Sequence, residues 1–154
     1  MKKILKLAAC ILGSEIAGNI PTIVTVGAIT DWYVVLNKPS FNPPNWIFGP
    51  VWTLLFALMG IAFYFVLESK GRMRKIAITM FVVQFLLNIA WSFLFFGMQS
   101  PLYALIDIGL LLIAIIGTIW AFYKVDKKAG YLLIPYLLWV SFASVLNYAI
   151  WTLN

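Results

Sequence analysis

Five apolar runs, each about as long as a bilayer is thick, follow one another with little between them: residues 4–29, 46–67, 76–96, 102–122 and 129–153. A helix needs about 20 consecutive apolar residues to cross the hydrocarbon core of a membrane. Inside that core each backbone N–H and C=O must find its partner within the protein, and runs of this length do so as helices. Soluble domains average about half apolar and a quarter charged residues. This chain is 64% hydrophobic and 10% charged, with a mean hydropathy of +0.99. The sequence therefore predicts an all-α integral membrane protein, with residues 1–154 forming one transmembrane domain, a five-helix antiparallel bundle.

The charges orient such a bundle. Lys2, Lys3 and Lys6 precede or begin the first run, Lys70, Arg72, Arg74 and Lys75 lie between the second and third, and Lys124, Lys127 and Lys128 between the fourth and fifth. An up-and-down bundle collects these three segments on one face, which leaves only Lys38 of the eleven basic residues on the other. The positive-inside rule then places the N-terminus in the cytoplasm and the segment of about residues 30–45 outside. A net charge of +6 would suggest a nucleic-acid partner in a soluble protein; here topology absorbs it, and no such partner is expected. Cys10 is the single cysteine and histidine is absent, which excludes a disulfide within one chain and a Cys/His zinc site. Leu7-Ala8-Ala9-Cys10 is similar to a lipid-attachment box, but the apolar region before it is shorter than a signal sequence needs and contains Lys6.

Most connections are short, which forces neighbouring helices to run antiparallel. The exception is the segment from about 30 to 45, which carries Trp32-Tyr33, Lys38-Pro39-Ser40-Phe41-Asn42-Pro43-Pro44-Asn45 and then Trp46. Prolines fix φ and hold the preceding residues extended, so this segment orders at little entropic cost. It reads as a stiff aromatic lid, with Tyr33, Pro43, Pro44 and Trp46 over a site beneath it. Trp32, Tyr33, Trp46 and Trp151 also suit an aromatic belt at the outer interface, and Trp120, Tyr123 and Tyr131 one at the inner.

Polar groups within the runs are costly unless they face a partner or a cavity. Glu15, Asn19, Gln84, Asn88, Asp107 and Asn147 are such groups, and no Lys or Arg is expected buried within the runs to pair with the two acids. Gln84, Asn88 and Trp91 share one helix face, and Trp139, Ala143, Leu146 and Asn147 another. Counting 1.5 Å per residue from the outer end puts Trp52, Trp91, Asp107 and Asn147 at roughly 8–10 Å depth, Ala143 and Asn19 at roughly 14 Å, and Trp139 and Glu15 at roughly 20 Å. Either these groups bond one another across helices, or they line a ligand cavity in the outer half of the bundle. Their clustering with three tryptophans under one loop favours the cavity.

Trp32-Tyr33, Lys38-Pro39-Ser40, Asn42-Pro43-Pro44, Trp46, Phe48-Gly49-Pro50-Val51-Trp52, Gln84, Leu87-Asn88, Ala90-Trp91-Ser92, Phe95-Phe96, Ala104, Asp107, Pro135-Tyr136, Trp139, Phe142-Ala143 and Leu146-Asn147-Tyr148 occur in order over nearly the whole chain. Together they resemble the tryptophan-rich sensory protein family, whose mitochondrial branch is the translocator protein, or peripheral-type benzodiazepine receptor. The resemblance implies a five-helix bundle, commonly a homodimer, whose pocket binds porphyrins such as protoporphyrin IX or haem and synthetic aromatic ligands of the benzodiazepine-receptor type. It also implies that Trp52, Asn88, Trp91, Tyr103, Trp139, Ala143 and Leu146, with Tyr33 and Pro44 from the lid, contact the ligand; the depth argument adds Asp107 and Asn147. In some bacterial members the tryptophans matching Trp52 and Trp139 are linked to light-dependent porphyrin breakdown. Two departures stand out. Tyr103 replaces a tryptophan common in the mitochondrial branch, and no basic residue follows Tyr148, which leaves that branch's cholesterol pattern incomplete.

The expected function is thus a receptor or sensor that binds porphyrin and requires no cofactor or metal. Photo-oxidative porphyrin degradation and porphyrin transport are alternatives, although no inverted repeat of the carrier type is visible. The expected setting is a prokaryotic plasma membrane, with membrane lipid and a second copy of the chain as neighbours.

Overall fold

A computed structural model describes residues 1–154. Its helices are α1 (Lys2–Gly18), α2 (Thr22–Asp31), α3 (Phe48–Glu68), α4 (Met73–Ser92), α5 (Pro101–Val125), α6 (Lys127–Leu132) and α7 (Ile134–Leu153), with no strands. Four stretches are long and apolar enough to cross a membrane: Asn45–Glu68, Met73–Gly97, Pro101–Val125 and Lys127–Leu153. A fifth exists if α1 and α2, bent by 43° relative to one another, count as one span.

The first apolar run is thus not a single straight helix, and Pro21 is the reason. It has no N–H to donate to Ala17, and its ring crowds that carbonyl. The Ala17 carbonyl accepts instead from the Ile20 amide at 3.3 Å, closing α1 with a tighter turn. The Asn19 backbone and side-chain N–H groups both donate to the Glu15 carbonyl, at 3.0 and 2.8 Å. α2 then restarts from the Pro21 carbonyl, which accepts from Val24 and Thr25 at 3.0 and 3.1 Å.

Packing on either side of the bend differs. α1 lies along α3, where close approach depends on two glycines. A Cβ on Gly60 would fall 2.6 Å from the Ile11 Cα and 2.7 Å from the Cys10 carbonyl oxygen, and one on Gly18 would run into the Phe56 ring. Small residues at such crossings let helices meet without voids. Beyond the bend, α2 leaves α3 and packs on the end of α4, where residues Phe93–Gly97 widen into a π turn. Trp32, at the end of α2, meets Phe95 of that turn edge-on with ring centroids 5.5 Å apart.

The remaining helices form a conventional bundle: α4 against α5, α5 against α7, and α3 against α6. Ser100 caps α5, accepting the Tyr103 amide at 3.3 Å ahead of Pro101 at the first helical position. Gly71 makes the turn between α3 and α4 at φ +146°, a region that disfavours any Cβ. At the end away from the long loop the interior is close-packed and aromatic. Phe63 stacks on Phe81 at 4.6 Å and Phe81 on Phe122 at 5.6 Å, with Val66, Ala77, Ala121 and Ala129 fully buried around them. Lys6 and Glu68, 2.8 Å apart, join α1 to α3 at that end.

Candidate binding cavity

Where α2 departs from α3 the bundle is hollow. A cavity of about 390 Å³ lies at the loop end, walled by α2, α3, α4 with its π turn, α5 and α7. This volume is within the range of small-molecule sites. Trp52 stacks on Phe56 at 5.3 Å and Trp91 on Phe95 at 5.0 Å, while Trp139 meets Phe48 edge-on at 5.8 Å. All six rings line the cavity, so their faces are held by neighbours as well as by their own helices.

Two hydrogen-bonded chains set the polar atoms. In the first, Asn88 Nδ2 donates to the Tyr136 hydroxyl at 2.9 Å, which donates to Gln84 Oε1 at 2.8 Å. Gln84 and Tyr136 are 0% and 1% exposed, so the chain is anchored in the core and only Asn88 reaches the cavity. With its Nδ2 committed to Tyr136, Asn88 presents Oδ1 as an acceptor. In the second chain, the Trp91 indole N–H donates to Asn147 Oδ1 at 3.0 Å and Asn147 Nδ2 donates to the Pro101 carbonyl at 2.8 Å. Asn147 therefore ties α4, α5 and α7 together, and each end of its amide is engaged within the protein. The wall that results is mostly aromatic, with a few fixed polar atoms, suited to a flat apolar molecule bearing one or two polar groups.

Of the residues singled out from the sequence, Trp52, Asn88, Trp91, Trp139, Ala143, Leu146 and Asn147 line this one cavity. Tyr103 and Asp107 do not. Tyr103 is half exposed on the same stripe of α5 as Ile106, Leu110 and Ile113, which faces away from the bundle. Asp107 is on the buried face of α5, 7% exposed, with Oδ2 lacking a hydrogen-bond partner; its helix neighbours Ile108 and Leu111 reach the cavity in its place.

The loop divides in a similar way. Tyr33 is buried, lines the cavity, donates a hydrogen bond to Asn42 Oδ1 at 3.0 Å, and carries the Lys38 ammonium 4.6 Å above its ring. Asn37 and Asn154 exchange hydrogen bonds at 2.9 and 3.0 Å, pinning the loop to the end of α7. Pro43, Pro44 and Trp46 do not line the cavity. Pro44, at φ −57° and ψ 141°, holds the chain extended into a 3₁₀ turn over Asn45–Ile47, and Trp46 on that turn is 74% exposed. These residues shape the loop, and Tyr33 is the aromatic residue of it that reaches the cavity.

The α2 wall was not anticipated from the sequence. Pro21, Thr22, Thr25 and Ile29 line the cavity together with Phe56, Phe95 and Phe96. Pro21 inside an apolar run, followed by hydroxyls at 22 and 25, is the signal that marks it.

Comparison with known proteins places these features in a family. The model of the TspO/MBR family matches residues 8–152. The chain is 47% identical to the tryptophan-rich protein TspO of Chlorobaculum tepidum, covering 99% of this chain and 98% of that one. It is 40% identical to the human translocator protein over 80% of this chain and 75% of that one. With the tryptophan-rich sensory protein of Cereibacter sphaeroides the identity is 37%, over 84% and 83% of the two chains.

Proposed function

Because this chain belongs to the TspO/MBR family, integral membrane proteins of receptor or sensor type, we propose that it binds a flat aromatic ligand of the porphyrin class in the cavity between α2, α3, α4 and α7. The observation that carries this reading is the convergence of Trp52, Trp91 and Trp139, from three helices, on one cavity of about 390 Å³. Aromatic walls suit a large π surface, and the unengaged Asn88 Oδ1 supplies one fixed acceptor, which a carboxylic acid on the macrocycle meets in its protonated form. In this reading α1 and α2 together make one of five membrane crossings, the lysine- and arginine-rich end is cytoplasmic, and the membrane is the plasma membrane of a prokaryote.

Tryptophan fluorescence titrated with protoporphyrin IX tests the proposal. Saturable quenching is expected in the native protein, with an apparent affinity at least about tenfold weaker in Trp91→Ala and Trp139→Ala, a loss of about 1.4 kcal/mol. Identical titrations in all three proteins would remove the cavity from the explanation. The presence of Trp52 and Trp139 in the same cavity also favours a second activity, photo-oxidation of the bound pigment in light and oxygen. Porphyrin absorbance that bleaches equally fast with the Trp52→Phe protein would argue against it.

A further inference from the structure

Little of the loop reaches the cavity, and the exposed part of the lining lies along one side. From the loop between residues 33 and 45 only Tyr33 and Asn45 reach the cavity, and Tyr33 is buried beneath Lys38 and Asn42. The loop is further fastened to α7 through Asn37 and Asn154. The lining residues that are also exposed are six, and they form two facing edges: Asn19, Thr22 and Val26 along the α1–α2 bend, and Asn45, Gly49 and Thr53 along the start of α3. A Cβ on Gly49 would meet nothing within 4 Å, so this edge has room for a side chain. Flanking the two edges, Ile23 and Leu54 are 80% and 59% exposed, side chains that belong in hydrocarbon. Two of the four polar edge groups suit that setting. The Thr53 hydroxyl donates to the Gly49 carbonyl at 3.0 Å and the Asn19 amide to the Glu15 carbonyl at 2.8 Å, each satisfied within its own helix.

We propose that the cavity opens sideways, between α2 and α3, into the bilayer, and that its ligand is a membrane-dissolved molecule that enters and leaves through this slot. The inference rests on the binding function proposed above. It specifies the ligand by a physical property, partition into lipid, and assigns Gly49 and Thr53 to its path.

Stopped-flow quenching by protoporphyrin IX, with the protein in nanodiscs and vesicles, separates the routes. At a fixed free aqueous porphyrin concentration, entry from the bilayer makes the association rate rise with the partition coefficient, varied through lipid composition, whereas entry from water leaves the rate unchanged. Gly49→Phe and Thr53→Phe, which narrow the slot, are expected to lower association and release rates by about tenfold. Rates that follow aqueous porphyrin and are untouched by both substitutions would overturn the slot while leaving the binding function in place. Absence of equilibrium quenching in the native protein would overturn the binding function and the slot with it. The lipid dependence is read on the native protein, so it decides the question even where a substituted chain does not fold.

Discussion

Tyr136 shows how one residue outside the expected set can organise it. The i, i+4 spacing of Gln84 and Asn88 puts both on one face of α4, and that much is legible in the sequence. The group that joins them comes from α7, and no spacing within α4 points to it. Its hydroxyl accepts from Asn88 and donates to Gln84 in a region with almost no exposure, so Tyr136→Phe leaves two amides without their shared partner. Thermal unfolding in detergent is expected to register a destabilisation of about 1–2 kcal/mol, whereas Tyr103→Phe, on the exposed face of α5, is expected to stay within about 0.5 kcal/mol of the native protein. Equal stability of the two variants would show that the buried chain contributes nothing. Asn147 carries a related lesson. Its polarity and depth in the sequence suggest a ligand contact, and the structure adds that its amide already joins Trp91 to the Pro101 carbonyl. Side-chain commitments of this kind depend on which helices are neighbours, and hydropathy is silent on that.

At the scale of elements, the bend at Pro21 decides whether a cavity exists. α1 is locked to α3 through Gly18 and Gly60, and a straight continuation would carry the next ten residues along α3 and close the gap. The 43° bend sends α2 to the π turn of α4 instead. Pro21→Ala restores the missing amide and removes the clash that stops α1. Protoporphyrin IX affinity is expected to fall about tenfold while far-UV circular dichroism reports the same helix content; unchanged affinity would mean that tertiary contacts alone hold α2 in place. An apolar run interrupted by one proline still scores as a single span by length and hydropathy. The bend was therefore readable only as a local proline effect, and its consequence for the cavity only once the partners of α2 were known. The loop between α2 and α3 behaves oppositely. Its stiffness follows from Pro39, Pro43 and Pro44 in the sequence, but the side that Trp46 takes is set by the 3₁₀ turn over Asn45–Ile47.

Across the whole molecule the two ends of the bundle have different tasks. The end away from the loop is packed solid with Phe63, Phe81, Phe122 and small residues, while the loop end spends its aromatic side chains on a cavity wall. Apolar run length made the helical membrane class legible, and the depth count placed the unusual residues in one half, because both depend only on the rise of a helix and the thickness of a bilayer. The lateral slot escaped the sequence because it is a gap between helices that hydropathy treats as neighbours. The central claim, that ligand sits among Trp52, Trp91 and Trp139 beneath Tyr33, is tested most directly by an experimental structure of the native protein in lipid saturated with protoporphyrin IX. The macrocycle is expected between those three indoles with a polar group within hydrogen-bond reach of Asn88. A porphyrin found only on the lipid-facing surface of the bundle, with the cavity unfilled, would contradict it.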